Sequence, residues 1–174
     1  ALAEIGSISE RRINRMLDAH LSELPPFLTA YPGVDSGLMI TQYTAAALVS
    51  ENKVLAHPAC VDSIPTSANQ EDHVSMGTIA ARQAREILEN VRHVVAIEML
   101  VAAQGLDFLR PLTPGAGVRA AYQAIRSEVP HLEEDRVPAD DIQTVYQMLL
   151  CGKIVQATEA SIGPLFAVQG AVGA

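Results

Sequence analysis

Tryptophan is absent, and four tyrosines with three phenylalanines hold the aromatic share of the 174 residues to 4%. A core organised by stacked rings is excluded. With 49% of residues hydrophobic and only 18% charged, the interior has to be aliphatic and alanine-rich, which favours closely packed helices. The length is that of one domain able to bury a sizeable core. Basic residues are scarce as well: 12 Lys and Arg stand against 20 Asp and Glu, for a net charge of −8. Nucleic-acid binding needs clustered cations to neutralise phosphates, and no basic patch is present. A nucleic-acid partner is excluded.

Cysteine occurs twice, at Cys60 and Cys151, without a CxxC pair or the spacing of a disulfide framework. Both are expected as free thiols, buried like small hydrophobes, in a reducing cytoplasm. Neither has a sequence-local electropositive setting that would make it a nucleophile. No run reaches the roughly 18 apolar residues of a membrane span. The longest, from Val94 to Ala103, is interrupted by Glu98 and reads as a helix buried inside protein. No secretory leader pattern is visible, so the expected location is cytoplasmic, with no membrane partner. Ala1-Leu-Ala-Glu-Ile5 has neither an initiator Met nor a capping residue, and the chain is expected to open inside a helix, as a fragment.

Helical periodicity dominates what is there. Residues 1–23 read as a helix with an apolar stripe of Ile5, Ile8, Ile13, Met16 and Leu17, ended by Leu24-Pro-Pro-Phe27. A second helix is expected over 36–56, stopped by His57-Pro58, because a residue before proline is pushed out of the helical region. Ser67 with Gln70 matches a capping box, which predicts a long helix over 68–104, on the order of 55 Å at 1.5 Å per residue. Its second half is apolar nearly all round, so Val94, Val95, Ile97 and Leu100 are expected to face other subunits. Two shorter helices follow, over 117–128 and 139–151, separated by the acidic Glu133-Glu-Asp135. The tail 163–174 reads as irregular. The expectation is a single all-α region over 1–174, an elongated helical bundle with one very long central helix.

Chemistry concentrates in Ser67-Ala-Asn-Gln-Glu-Asp-His-Val-Ser-Met-Gly77, a polar segment in an otherwise apolar chain. On the residues alone, Glu71 and Asp72 have a structural reading, because a carboxylate in the first turn of a helix is stabilised by the macrodipole. The alternative is acid–base chemistry. His57, Cys60, Glu71 and His73 offer metal-ligand types, but His57-x-x-Cys60 is not followed by a second compact pair, and no metal site is expected. Glu98 lies in an apolar helix and has to be paired; Arg11 or Arg12 is the expected partner. Arg82, Arg85, Glu86 and Glu89 read as a solvated face with i,i+4 pairs.

The polar segment, with Ala3-Glu-Ile-Gly-Ser-Ile-Ser-Glu-Arg-Arg12, Gln42-Tyr-Thr-Ala-Ala-Ala-Leu-Val-Ser-Glu-Asn-Lys53, His57-Pro-Ala-Cys-Val-Asp-Ser-Ile-Pro-Thr66, Ala96-Ile-Glu-Met-Leu100 and Gln104-Gly105, closely resembles the carboxy-terminal part of the histidine ammonia-lyases. The resemblance fades over the last forty or so residues. It implies a larger tetrameric helical lyase fold, a homotetramer whose active sites draw on more than one subunit, and elimination of ammonia from L-histidine to give urocanate. In this family the residue after Asn-Gln varies with substrate. Phenylalanine enzymes have a motif resembling Asn-Gln-Asp, and histidine enzymes have Asn-Gln-Glu-Asp-His, the form present at 69–73.

The resemblance therefore assigns Glu71 to the active site as a catalytic and substrate-binding residue, facing the imidazole. Gln70 is either a substrate-binding neighbour or the capping residue, or both. A carboxylate suits an imidazole N–H, whereas a phenyl ring would leave a buried charge unpaired. The family typically has Ser where Cys60 stands. Its electrophile, a methylidene-imidazolone, forms from an Ala-Ser-Gly that is absent here; Pro65-Thr-Ser-Ala68 and Glu159-Ala-Ser-Ile162 lack the glycine. The cofactor is expected in an amino-terminal part that this chain does not contain, and the chain alone is expected to be inactive. Two rivals remain. A non-catalytic oligomerisation module is compatible with Cys60 and the missing triplet but has no need of the polar segment. A lyase or aminomutase for another aromatic amino acid is disfavoured by Glu71 and His73.

Overall fold

A computed structural model describes residues 1–165. The helices are α1 (Leu2–Leu17), α2 (Ala19–Ser22), α3 (Met39–Leu55), α4 (Gly77–Phe108), α5 (Ala116–Arg126), α6 (Pro138–Leu150) and α7 (Lys153–Ile162). The architecture is all-α, and the described residues form no strand, only two isolated bridges. At 32 residues, α4 is about 48 Å long and runs through the centre of an elongated bundle. None of the described helices is long and apolar enough to cross a membrane.

One face of α4 meets α1 and α3, burying Ile13, Leu17, Ala45, Val49, Val94, Ile97 and Val101. Its opposite face meets α5, α6 and α7 around Leu100, Ala103, Ile125, Val145, Met148 and Ile154. This corrects the expectation that Val94, Ile97 and Leu100 face other subunits. They are 0%, 0% and 3% exposed within this chain, because the helix is sandwiched between two layers of its own sequence. What lies bare is the first turns of α4, from Gly77 to Glu86. Ile97→Ala is therefore expected to lower the stability of the folded unit by about 2–5 kcal/mol through an unfilled cavity. Urea unfolding of the two forms measures this loss.

The stripe expected on α1 divides. Ile13 and Leu17 are buried, but Ile5 and Ile8 are 51% and 48% exposed; the face turned inward is Gly6, Ser9, Glu10, Ile13 and Leu17. Close approach is the reason. A Cβ on Gly6 would stand 3.1 Å from a Val91 methyl carbon, so the first half of α1 presents small and polar side chains to its neighbours. The helix stops at Leu17, earlier than expected, because the Asp18 side chain accepts the His20 amide at 2.9 Å and caps a new short turn.

Polar groups at the helix contacts tie the layers together. Glu98 accepts from Arg12 Nε at 2.5 Å and Nη2 at 2.9 Å and from the Ser9 hydroxyl at 2.5 Å, so Arg12 is the partner that the apolar setting of Glu98 demanded. This hydrogen-bonded pairing pushes the Arg12 pKa up from its ordinary value. Gln104 is 1% exposed. Its amide donates to the carbonyls of Leu28 and Leu132, and its oxygen accepts from Arg126 and from the Leu132 amide, at 3.0–3.2 Å. The segment between α2 and α3 and the segment between α5 and α6 are thereby both pinned to α4.

One turn further along α4, the Asp107 carboxylate accepts from Tyr122 at 2.5 Å, Arg126 at 2.7 Å, His131 at 2.8 Å and Arg110 at 3.1 Å. Burial alone would raise its pKa, but the hydrogen bonds from Tyr122 and His131 and the nearby Arg126 outweigh burial and hold it below the ordinary aspartate value. A carboxylate with a depressed folded pKa contributes stability above its unfolded pKa, and that contribution is lost as pH falls through the folded value. Asp107→Asn is expected to destabilise the protein at neutral pH and to flatten the acid limb of its stability profile. Urea midpoints measured from pH 7 downward for both forms would check this.

The remaining expectations shift by a few residues or fail for identifiable reasons. The second helix begins at Met39 because the amides of Ser36 and Gly37 are taken by the Asp135 carboxylate, both at 2.8 Å. The acidic loop thus holds the turn before α3. Arg82, Arg85 and Glu86 are exposed as expected. Glu89, however, accepts from the Tyr146 hydroxyl across the α4–α6 contact, and His93 stacks on that tyrosine ring at 4.2 Å. That hydrogen bond lowers the Glu89 pKa and raises that of Tyr146. Helix α7 was not anticipated; Gly152, at φ +74, supplies the left-handed turn that reverses the chain after α6. Cys60 and Cys151 are both exposed, not buried. Of the tail expected to be irregular, residues 166–174 lie outside the described residues.

Candidate active site

The segment singled out by its polar density is a closed loop rather than the first turn of a helix. Ser67, Ala68 and Asn69 have φ of 53°, 54° and 68°, three successive non-glycine residues in the left-handed region, which costs free energy and is seen where surrounding structure enforces it. Around this turn the Thr66 amide donates to the Glu71 carbonyl at 3.0 Å and the Glu71 amide to the Thr66 carbonyl at 3.3 Å. At the base of the loop the Val74 amide donates to Ser63 Oγ at 2.9 Å, and the Ser63 hydroxyl faces the Val74 carbonyl at 3.5 Å.

The capping box is therefore not formed. Ser67 is left-handed instead of extended, and the Gln70 amide, which the box would pair with the serine hydroxyl, donates to the Ser67 carbonyl at 3.1 Å. Helix α4 begins only at Gly77, whose amide donates to Ser75 Oγ at 3.2 Å. The macrodipole explanation for Glu71 falls with the box, since Glu71 lies six residues before the helix start.

Gln70, Glu71, Asp72 and His73 are all exposed. Glu71 takes part in none of the ion pairs among the described residues. Its backbone is fixed at both hydrogen-bonding atoms while its carboxylate stands open. Such a group can accept a hydrogen bond from a substrate N–H or take up a proton. His57 and Cys60 lie apart from this turn, lining a shallow cavity of about 390 Å³ with Leu2, Ala80, Ala84 and Ile87. Among the described residues no three of His, Cys, Asp and Glu come together as a metal-binding group. Sequence reasoning passed over Ser63 and Thr66, which close the loop; Thr66 does so through its backbone, which no side-chain pattern marks.

A family model described as aromatic amino acid lyase matches residues 1–127. The chain belongs to the aromatic amino-acid lyase family. It is 61% identical over 165 residues to a histidine ammonia-lyase of Symbiobacterium thermophilum, covering 95% of this chain and 32% of that protein. The crystal structure of histidine ammonia-lyase from Trypanosoma cruzi superposes with a TM-score of 0.88 at 44% identity, over 98% of this chain and 36% of the other. A tyrosine aminomutase from Streptomyces globisporus gives 0.89 at 39% identity, over 97% and 32%. The chain thus spans about a third of the length of the curated relatives it matches.

Lyases of this family use a methylidene-imidazolone electrophile, and the residues present do not build it. The triplet nearest to Ala-Ser-Gly is Asp35-Ser36-Gly37, which sequence reasoning overlooked. Its glycine nitrogen would have to attack the carbonyl two residues back, yet that amide is bonded to Asp135 at 2.8 Å. The Ala160-Ser161 pair lies within α7 and is followed by isoleucine.

Proposed function

We propose that this chain is the carboxy-terminal helical part of a histidine ammonia-lyase that eliminates ammonia from L-histidine to give urocanate. The observation that carries the reading is the open carboxylate of Glu71 on a turn closed by its own backbone. In this proposal Glu71 accepts a hydrogen bond from the imidazole N–H and is the group through which a proton is held or moved. Gln70, whose amide donates to the Ser67 carbonyl at 3.1 Å, is fixed in the same turn and offers an amide side chain beside the carboxylate for substrate binding. The remaining part of the enzyme supplies the electrophile, formed there from Ala-Ser-Gly, and the enzyme works as a homotetramer.

Substrate preference tests the assignment. The enzyme containing this chain is offered L-histidine, L-phenylalanine and L-tyrosine at equal concentration. Urocanate formation, followed by its ultraviolet absorbance, is expected to exceed turnover of the other two. Desolvating an unpaired carboxylate against a phenyl or phenol ring costs free energy that an imidazole N–H recovers. Faster conversion of phenylalanine or tyrosine would transfer the chain to another branch of the family.

A further inference from the structure

The turn that carries Glu71 is strained and exposed, and the orientation of its carboxylate depends on what holds the loop. Two tethers cross the loop. The inner one is the pair of backbone hydrogen bonds between Thr66 and Glu71 at 3.0 and 3.3 Å. The outer one is Ser63, half-buried, whose hydroxyl oxygen accepts the Val74 amide at 2.9 Å and whose hydroxyl faces the Val74 carbonyl at 3.5 Å. The Ser63 backbone is itself held, its amide donating to Asp62 Oδ1 at 2.8 Å. No other side chain joins the two arms of the loop among the described hydrogen bonds.

We propose that Ser63 is a positioning residue for the Glu71 carboxylate, clamping the base of the loop so that the left-handed turn at its tip holds one orientation. The proposal rests on the reading of Glu71 as an active-site group. Without the clamp, residues 64–73 are held by the two backbone hydrogen bonds between Thr66 and Glu71 and the Gln70–Ser67 bond inside the turn, which water can replace at little net cost in an exposed loop. The released tip gains conformational freedom, and the left-handed residues at 67–69 relax toward ordinary backbone regions. A displacement of about 1 Å at a reacting group is enough to lower turnover by up to about 10²-fold. Substrate contacts made by the rest of the enzyme are untouched, so the loss belongs to kcat more than to KM.

A double-mutant cycle in the enzyme containing this chain tests the idea, with L-histidine as substrate and thermal unfolding recorded for each form. Ser63→Ala is expected to lower kcat by roughly 10-fold or more, within the loss that mispositioning causes, with KM and the unfolding midpoint nearly unchanged. Ser63→Thr keeps the hydroxyl and is expected to restore turnover to within about threefold of the parent, as a hydrogen-bonding role requires. In a Glu71→Gln background, Ser63→Ala is expected to cost less than about twofold, because residues that act through one another are not additive. Equal losses from Ser63→Ala in both backgrounds would overturn the positioning role and leave a general contribution to the fold. Parental kcat in Ser63→Ala beside a large loss in Glu71→Gln would also overturn it, while sparing Glu71. Parental kcat in Glu71→Gln would remove Glu71 from the chemistry and the proposal about Ser63 with it.

Discussion

Replacing Glu71 by glutamine is expected to lower turnover of L-histidine by roughly 10²- to 10⁴-fold, the usual loss when a general acid or base is removed. Glutamine has nearly the same shape and still accepts a hydrogen bond, so substrate contacts made by shape alone survive. What it lacks is the charge and the capacity to carry a proton. The turn itself should persist, because it is closed by the backbone atoms of Thr66 and Glu71, which the substitution leaves in place. Unfolding midpoint and assembly are therefore expected to match the parent, and the effect to lie in kcat. Turnover within about threefold of the parent, well short of the loss that removal of an acid–base group brings, would leave Glu71 without a catalytic role. Had Glu71 occupied the first turn of α4, the same substitution would also have cost helix stability; the loop geometry removes that complication.

Residues 1–174 produced alone are expected to form no urocanate, a complete loss of activity. Two observations support this. No Ala-Ser-Gly is present to cyclise, and the one Ser-Gly dipeptide, at 36–37, has its glycine amide bonded to Asp135 at 2.8 Å. The chain also leaves large apolar side chains in the open, among them Ile5, Ile8, Val61, Ile64 and Leu112, each 48–72% exposed. Association at modest concentration is expected from such surface. The assay is the appearance of urocanate absorbance on incubation with L-histidine, with mass spectrometry to establish that no longer lyase contaminates the preparation. Sustained urocanate formation by the pure chain would overturn the assignment of the electrophile to another part of the enzyme.

Helix content, the long central helix and the need to pair Glu98 were legible in the sequence, because each depends on local spacing or on the cost of an unpaired charge in an apolar run. Gly105 marks no breaker in the fold: α4 continues to Phe108, with the buried Gln104 amide satisfied by loop carbonyls on both sides. The start of α4 was not legible. Ser67 and Gln70 satisfy the local rule for a cap, but the Gln70 amide donates to the Ser67 carbonyl inside a turn closed by Thr66 with Glu71 and, beyond it, by Ser63 with Val74, and a pattern read over four residues does not register a bond spanning eleven. The inward face of α1 was misjudged for a related reason. Ile5 and Ile8 score as core by hydrophobicity, yet the 3.1 Å approach of Val91 at Gly6 selects small residues there.

By itself the sequence determined that the protein is all-helical, aliphatic in its core and acidic in charge, and that residues 67–77 form a dense polar stretch. Composition and periodicity suffice for those, since they follow from what each side chain does in water and in a helix. The tertiary structure decided which side of α4 each apolar residue fills, so that Ile97 is buried by α1 and α3 while Leu100 is buried by the helices that follow. It also decided that Glu71 stands on a closed left-handed turn instead of a helix end. Both depend on groups distant in sequence competing for the same hydrogen bonds and the same space, and only the folded chain brings those competitors together.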